Sequence, residues 1–398
     1  MSRRQYNILD KVIRLCESRG FSVESRIENS PTAYYRYQFG PLGTELRRNL
    51  RNAWWHDVVR SKGKVYGFES ASELVTHVSE DKTLGTNKEE STAATEEETP
   101  RRDDFDPLSN IFLQYMTHLL GIFPGIEVPF GTAWSRKYFE RPDNDHYIFR
   151  SHEREIMSLE FFCAENRVKD WTNHWKRQRL LWWRKFAKIR SNYSLFEEQT
   201  ELETGPYSKT LVKFMFPWGQ ESVDSITVRS DLHKYIATDE FRGLPFDKKS
   251  IPHVIQVKTD LNRGFLAYLM DAYSEKERSD SSGKVSLCTV LHLHPQLAPV
   301  KVAVLSQYPQ HNELCEIAHQ LSSELREAGI TTQCSLHASA NECYAYQDEI
   351  GTPYCITILD TILTNGVVAF RSRNTTLQEY VHISEALHTV KSHLGFNE

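Results

Sequence analysis

The sequence predicts an α/β protein with about two or three domains. The chain has 398 residues, of which 39% are hydrophobic and 25% are charged, the balance of an ordinary soluble protein. From residue 294 to residue 394, strand-like and helix-like segments alternate, which is typical of a parallel α/β sheet. Earlier in the chain, the strand-like pair Val254 and Ile255 leads into an apolar helix at residues 265–270.

Composition and charge exclude several classes of function. The formal net charge of −5 gives no overall nucleic-acid signature, so such a surface has to be a local patch. The seven cysteines show no C-x-x-C spacing and no pairing pattern, which favours a reducing compartment and argues against a zinc site. No apolar run reaches the length of a membrane span, so we expect no membrane partner. The basic N-terminus fits either the remnant of a transit peptide or an ordinary amphipathic helix.

The spacing of apolar residues organises the rest of the chain. It predicts helices over residues 6–19, 44–59, 107–120 and 312–329, with Thr44 as the N-cap of the second helix. Strand candidates lie at residues 126–134, 147–150 and 156–163. Residues 81–106 are acidic and contain almost no large apolar side chain, so they are predicted to be a disordered insertion. We therefore expect one domain from residues 1–80 and 107–285, and a second domain from residues 286–398.

The polar segment between Ile255 and Phe265 is a candidate functional site. Residues 256–264 are expected to form a turn between the strand and the helix. A helix that follows such a turn commonly binds a phosphate, because its first N–H groups point into the turn. This turn carries Asp260 and a single glycine, Gly264. The sequence therefore predicts the scaffold of an ATP site whose phosphate chemistry is damaged.

A basic, aromatic-rich helix is predicted over residues 170–190. A surface that binds a nucleic-acid backbone needs several Lys and Arg side chains in a row, so this helix is a candidate DNA-binding surface. The candidate contacts are Lys176, Arg177, Arg179, Arg184, Lys185 and Lys188. The alternative is a long helix whose tryptophans fill the core and whose cations lie in water.

Several motifs resemble those of glycyl-type class II aminoacyl-tRNA synthetases. The string FGPLGTELRRNLRNAWW at residues 39–55 is similar to their first class-defining motif. EVPFGTAWSRKYFERP at residues 127–142 is similar to the approach to their second motif. Residues 348–354, 365–366 and 370–375 resemble their anticodon-binding domain. The resemblance implies a synthetase-like domain with an antiparallel sheet, followed by an α/β domain of the anticodon-binding type.

The chain departs from active synthetases where they handle ATP and the amino acid. In active members an arginine after the phenylalanine of the second motif binds the α-phosphate, and here Glu140 follows, with Arg141 next to it. Gln256 and Asp260 replace an acidic residue and a glycine, whereas Arg263 is kept. Catalysis depends on positioned charge, so these changes should abolish activation of the amino acid. We expect no catalytic residue, no cofactor and no metal.

Three stretches resemble, more closely, the accessory subunits of the mitochondrial replicative DNA polymerase, polymerase gamma. They are residues 180–187, 260–273 and 370–384. This resemblance implies a non-catalytic processivity factor of the mitochondrial matrix and nucleoid that binds the catalytic subunit and double-stranded or primer-template DNA. It also implies a homodimer in some lineages, through an inserted region that is short and acidic here. The alternatives are a working tRNA ligase and a tRNA-binding paralogue.

The same resemblance places the contact with the polymerase in the C-terminal domain. An Asn-Gly pair between apolar runs is a strong hairpin signal, because both residues tolerate positive φ. Aromatic and arginine side chains are frequent anchors of protein interfaces. The expected contact residues are Asn365, Gly366, Phe370, Arg371, Arg373 and Asn374. The alternative is that Gly366 only makes the turn and that the arginines are solvated.

Overall fold

The computed structural model describes residues 3–27, 34–69, 111–139, 147–150, 153–202, 205–230, 232, 251–279, 285–337 and 339–395. These residues form helices around two main sheets, so the predicted α/β class is confirmed. The acidic insertion at residues 81–106 lies outside the described residues, and so does Glu140. In the described ranges, no helix is long and apolar enough to cross a membrane.

The N-terminal part contributes two helices and a hairpin. Helix α1 (Arg3–Arg19) is followed by the antiparallel strands β1 (Ser22–Ile27) and β2 (Tyr34–Phe39), and then by helix α2 (Pro41–Trp55). Helix α2 begins at Pro41 with Gly40 as its N-cap, so the prediction that Thr44 is the N-cap was wrong. Proline suits the first helical position because its missing N–H has no partner there in any case.

The first main sheet has seven strands in the order β3-β4-β5-β9-β8-β7-β6. All neighbouring pairs are antiparallel except β3 and β4, which run parallel. The strands are β3 (Val65–Glu69), β4 (Phe130–Phe139), β5 (Glu153–Cys163), β6 (Tyr193–Leu202), β7 (Gly205–Phe216), β8 (Gly219–Arg229) and β9 (His253–Asp260). The helices of this part are α3 (Ile111–Ile122), α4 (Val168–Phe186) and α5 (Leu261–Ala272).

The two faces of this sheet differ in chemistry, because successive residues of a strand point to opposite faces. One face carries apolar residues such as Leu159 and Val257, which pack in a large core with the buried side chains of α2, α4 and α5. The other face carries buried polar residues such as Glu160 and Gln256, which are directly opposite each other on β5 and β9. Helix α3 packs near Phe162 in a smaller cluster at the apolar end of this polar face.

The second main sheet has five strands in the order β13-β12-β14-β15-β16. The hairpin β10 (Tyr273–Ser279) and β11 (Val285–Leu291) precedes it. The sheet consists of β12 (Val302–Ser306), β13 (Thr332–Leu336), β14 (Tyr354–Ile358), β15 (Val367–Ser372) and β16 (Gln378–His382). Its helices are α6 (Asn312–Glu327), α7 (Ala340–Ile350), α8 (Ile362–Asn365) and α9 (Ile383–Leu394). The first core includes Leu297 and Ala298, beyond the domain boundary predicted at residue 286.

Three local predictions were wrong. Residues 256–264 are not a turn, because β9 continues to Asp260 and α5 starts at the next residue. The segment Tyr147–Arg150 forms a turn of 3₁₀ helix rather than a strand. The Asn-Gly pair does not form a hairpin, since Gly366 is the left-handed C-cap of the short helix α8, with φ of +67°. The positive φ expected at Gly366 is nevertheless present.

Candidate functional site

The polar face of the seven-stranded sheet is centred on the buried carboxyl of Glu160. Ser158 Oγ donates to Glu160 Oε1 over 2.5 Å, and Trp134 Nε1 donates to Glu160 Oε2 over 2.9 Å. Gln256 Nε2 donates to the same carboxyl over 3.3 Å. Burial raises the pKa of Glu160 to about 7, although these hydrogen bonds oppose the increase. Gln256 therefore serves as a neutral donor to a buried acid.

Asp260 occupies the N-terminus of α5. Its side chain caps the helix by accepting a hydrogen bond from the backbone N–H of Arg263 over 3.0 Å. It also accepts from Arg154 Nε over 2.9 Å, and Arg263 Nε lies 3.5 Å from Asp260 Oδ2. Burial by itself would raise the pKa of Asp260, but Arg154 and Arg263 outweigh it and lower the pKa below its usual value. We call Arg154, Asp260 and Arg263 the Asp260 cluster.

The Asp260 cluster uses up the groups that would otherwise bind an anion. A helix N-terminus attracts phosphate through its free N–H groups and its partial positive charge. Here a carboxylate of the chain itself accepts an N–H group of that terminus and pairs with Arg154. The guanidinium of Arg263 also donates to the carbonyl of Ser222 over 3.0 Å and lies 4.4 Å from the ring centre of Phe149.

The basic helix α4 places Arg179 in the core rather than on the surface. Its side chain has 0% exposure, and its Nε lies 2.7 Å from Oδ2 of Asp224, which is also fully buried. The guanidinium lies over the ring of Trp182 at 4.4 Å. Burial raises the pKa of Asp224, while Arg179 and Trp183 act in the opposite direction. The expectation that Arg179 contacts DNA was therefore wrong, because no phosphate can reach it.

The other candidate DNA-binding cations, which lie on α4 or just after its end, divide into engaged and exposed groups. Lys176 Nζ lies 2.8 Å from Glu197, and Arg184 Nη2 donates to the carbonyl of Tyr193 over 2.8 Å. Arg177, Lys185 and Lys188 are exposed. Four large aromatic side chains of this helix are buried in the core, as the alternative interpretation expected: Trp175, Trp182, Trp183 and Phe186.

In the C-terminal sheet, Phe370 and Arg371 are internal side chains. Phe370 is 3% exposed and belongs to the core between the sheet and α6. Both terminal nitrogens of Arg371 donate to the carboxylate of Asp348, over 3.1 and 3.0 Å. This pairing keeps the guanidinium of Arg371 charged inside the fold, and its pKa is raised because the interaction with Asp348 outweighs burial. Neither residue is available as a direct contact for a partner, which corrects both expectations.

Arg373 connects the two main parts of the chain. It is 2% exposed, and it donates to the carbonyl of Gly351 over 2.6 Å and to the carbonyl of Leu293 over 2.7 Å. A direct role in partner contact is therefore wrong for Arg373 as well. Asn374 is exposed, and its Oδ1 accepts from Arg373 and lies 3.1 Å from His292 Nδ1. Asn365 is exposed and Gly366 is half-buried.

Sequence reasoning missed Arg154, Glu160 and Asp224, although a signal for the first two was present. Ile255 and Val257 alternate with the polar residues Gln256, Lys258 and Asp260, which is the period of a strand with one polar face. This period places Gln256 and Asp260 on the same face of a strand. Buried polar side chains there need hydrogen-bond partners, which a neighbouring strand can provide. Among the described residues, no group of three His, Cys, Asp or Glu side chains is placed to hold a metal ion.

Comparisons with known proteins agree with this architecture. Residues 300–393 match the family model described as an anticodon binding domain. The chain is 32% identical to DNA polymerase subunit gamma-2, mitochondrial, of Xenopus laevis, over 94% of this chain and 85% of the relative. It is 30% identical to DNA polymerase subunit gamma-2 of Mus musculus, over 94% of this chain and 88% of the relative. It is also 30% identical to the glycine–tRNA ligase of Mycolicibacterium vanbaalenii, over 95% of this chain and 96% of the relative. The chain belongs to the family of DNA polymerase gamma subunit 2, which is homologous to the glycine–tRNA ligases.

Proposed function

We propose that this chain is the non-catalytic accessory subunit of a mitochondrial DNA polymerase. In this role it binds the catalytic subunit and duplex or primer-template DNA in the mitochondrial matrix, and it raises the processivity of synthesis. The relatives named as polymerase subunits support the partner and the compartment. The alternative is a glycyl-type tRNA ligase, which the glycine–tRNA ligase relatives keep as a competitor.

The observation that carries the non-catalytic part is the Asp260 cluster. ATP brings phosphate groups that need free cations and free N–H groups. The carboxylate of Asp260 is buried, accepts from the N-terminus of α5 and pairs with Arg154. A phosphate approaching this position would meet a buried negative charge, and removing that charge would break the ion pair with Arg154. The cluster therefore favours a scaffold that no longer activates an amino acid.

A pyrophosphate-exchange assay tests this part. We expect no glycine-dependent exchange above the background of a sample without enzyme. An active glycine–tRNA ligase serves as the positive control under the same conditions. Exchange that needs both glycine and ATP would support the ligase and contradict the proposal.

The surface for the polymerase is proposed to surround α8 and β16. Asn365 and Asn374 are exposed there, and Leu377 and Tyr380 are 69% and 70% exposed. Exposed apolar and aromatic side chains beside polar ones are typical of protein interfaces. The buried residues predicted for this contact, Phe370, Arg371 and Arg373, support the surface from below.

A primer-extension assay with the catalytic subunit tests the polymerase contact. We expect the wild-type chain to lengthen the products made in a single binding event. Tyr380→Ala should need a higher concentration of the accessory chain for half-maximal stimulation, because truncating a central aromatic contact costs more than about 1 kcal/mol. Leu195→Ala, an exposed apolar residue on the edge strand of the other sheet, is the matched control. Equal stimulation by wild type and Tyr380→Ala would place the contact elsewhere.

A further inference from the structure

A cluster of basic groups lies where the end of α4 meets the β10–β11 hairpin and the turn after β15. The backbone N–H of Lys188 donates to Asp271 over 2.5 Å, which fixes the end of α4 against α5. His292 follows β11, and its backbone N–H donates to the carbonyl of Ala272 over 2.8 Å. Its ring nitrogen Nδ1 lies 3.1 Å from Asn374. We call Lys188, Lys276, His292 and Asn374 the junction cluster.

Within the described part of the chain, no carboxylate forms an ion pair with Lys188 or Lys276, although the charge of Asp271 acts on Lys188. Asp271, which lies close to Lys188, already accepts backbone N–H groups of Lys188 and Ile189 and the amide of Asn192. Lys276 is flanked in sequence by Glu275 and Glu277, whose side chains point to the opposite face of the hairpin. Glu275 is in addition paired with Lys11 at 2.8 Å. The cluster is therefore a local positive patch on a chain of net charge −5.

Asn374 sets the orientation of the His292 ring. Its Oδ1 accepts from Arg373 Nε over 3.2 Å and from Arg373 Nη2 over 3.0 Å, so this oxygen can only be an acceptor for His292 as well. Nδ1 of His292 must then carry the hydrogen. Protonation would add a second donor at Nε2, and a nearby anion would favour it. The three elements that face this ring contribute Lys188, Lys276 and Arg373, all cations.

We propose that the junction cluster binds the phosphodiester backbone of duplex DNA, with Lys188 and Lys276 at neighbouring phosphates and His292 as a third donor. This inference rests on the proposed function, and it assigns DNA contact to groups from both main parts of the chain rather than to helix α4 alone. DNA bound there would span the connection between the two sheets. In the free protein, burial and the three surrounding cations lower the pKa of His292 to about 4. A bound phosphate would place a negative charge beside the imidazole and raise this pKa.

Salt-dependent binding of a labelled duplex, measured by fluorescence anisotropy, tests the site. Each phosphate contact contributes about 0.9 to the slope of log affinity against log salt. The double variant Lys188→Gln and Lys276→Gln should therefore lower the slope by about 2. The matched control is Lys64→Gln and Lys169→Gln, which removes the same charge from two exposed lysines outside the cluster. We expect the control to keep the wild-type slope.

The outcomes separate this inference from the proposed function. If the wild-type chain binds duplex and both double variants keep its slope of log affinity against log salt, the junction cluster is not the phosphate site, although DNA binding stands. If the wild-type chain binds no duplex, the DNA-binding part of the proposed function fails, and this inference fails with it.

A second measurement does not depend on loss of affinity. The His292 imidazole signal, identified by its absence in His292→Gln, should show a pKa above its free value of about 4 when a short duplex is added. The same addition to the Lys188→Gln and Lys276→Gln variant should leave the pKa nearly where it is without DNA. An unchanged pKa of His292 in wild-type protein saturated with duplex would overturn the inference.

Discussion

The buried ion pair of Arg179 and Asp224 allows a test of whether Arg179, on helix α4, stabilises the fold or contacts DNA. Arg179→Ala removes a guanidinium that is 2.7 Å from Asp224 and packed on Trp182. The variant leaves Asp224 buried with only neutral hydrogen-bond donors beside it, the indole N–H of Trp183 and the hydroxyl of Thr259. Breaking one side of a buried pair costs about 3–5 kcal/mol, because the remaining charge keeps its desolvation penalty.

Urea unfolding followed by circular dichroism measures this cost. Arg177→Ala is the matched control, since Arg177 is exposed on the same helix and should change stability by less than about 0.5 kcal/mol. Asp224→Ala and the double variant complete a cycle, in which the two single losses should add to more than the double loss. The reasoning would be refuted if Arg179→Ala unfolded like wild type within about 1 kcal/mol and lost its affinity for duplex DNA.

The pH dependence of Arg179→Ala follows from Asp224. Burial raises the pKa of Asp224 in the folded chain above its unfolded value, and Arg179 opposes the increase. When a carboxyl group has a higher pKa in the folded chain than in the unfolded chain, the free energy of unfolding falls as the pH rises through the interval between the two pKa values. Without Arg179 the folded pKa rises further and the interval widens. The destabilisation should therefore be largest at neutral pH and should shrink as the pH approaches about 4, where unfolded aspartates protonate.

Three further variants have expected outcomes. Arg371→Ala should lose about 3–5 kcal/mol in urea unfolding, because it removes the guanidinium that pairs with the buried carboxylate of Asp348 through two hydrogen bonds. Gly366→Glu should lose about 1–3 kcal/mol and weaken stimulation of the polymerase, since φ is +67° and a Cβ would lie 2.4 Å from His382 Nε2. Asp260→Asn should flatten the acid limb of thermal unfolding, because the lowered pKa of Asp260 stabilises wild type above the unfolded pKa of about 4 and that stability is lost as the pH falls.

The sequence predicted the fold class well because motif resemblance and apolar periodicity agree over most of the chain. The helix at residues 6–19 and the helix that starts at Asn312 correspond to α1 and α6. The segment at residues 256–264 was predicted as a turn because its side chains are polar, yet it belongs to β9 and α5. A polar side chain can be buried when it has a hydrogen-bond partner. Here Glu160 and Arg154, on the neighbouring strand, are the partners of Gln256 and Asp260.

The candidate contacts were harder to predict than the fold. A count of cations cannot distinguish a buried arginine from an exposed one. Position 179 nevertheless follows Trp175 by four residues and precedes Trp182 and Trp183, so helical spacing places Arg179 on the aromatic face. No comparable pattern reveals that Arg373 reaches the carbonyls of Leu293 and Gly351, because that contact joins distant segments of the chain.

The Asp260 cluster has a consequence for the history of the protein. Restoring a glycine at position 260 would remove the cap of α5 and break the ion pair between Asp260 and Arg154. The single step back towards an ATP site would therefore lower stability before any activity could return. Gln256 adds a second obstacle, because an acid at that position would face the carboxyl of Glu160 across the two strands. Recovery of an ATP site in this family would therefore cost stability at the first substitution, whereas the loss of that site carries no such cost.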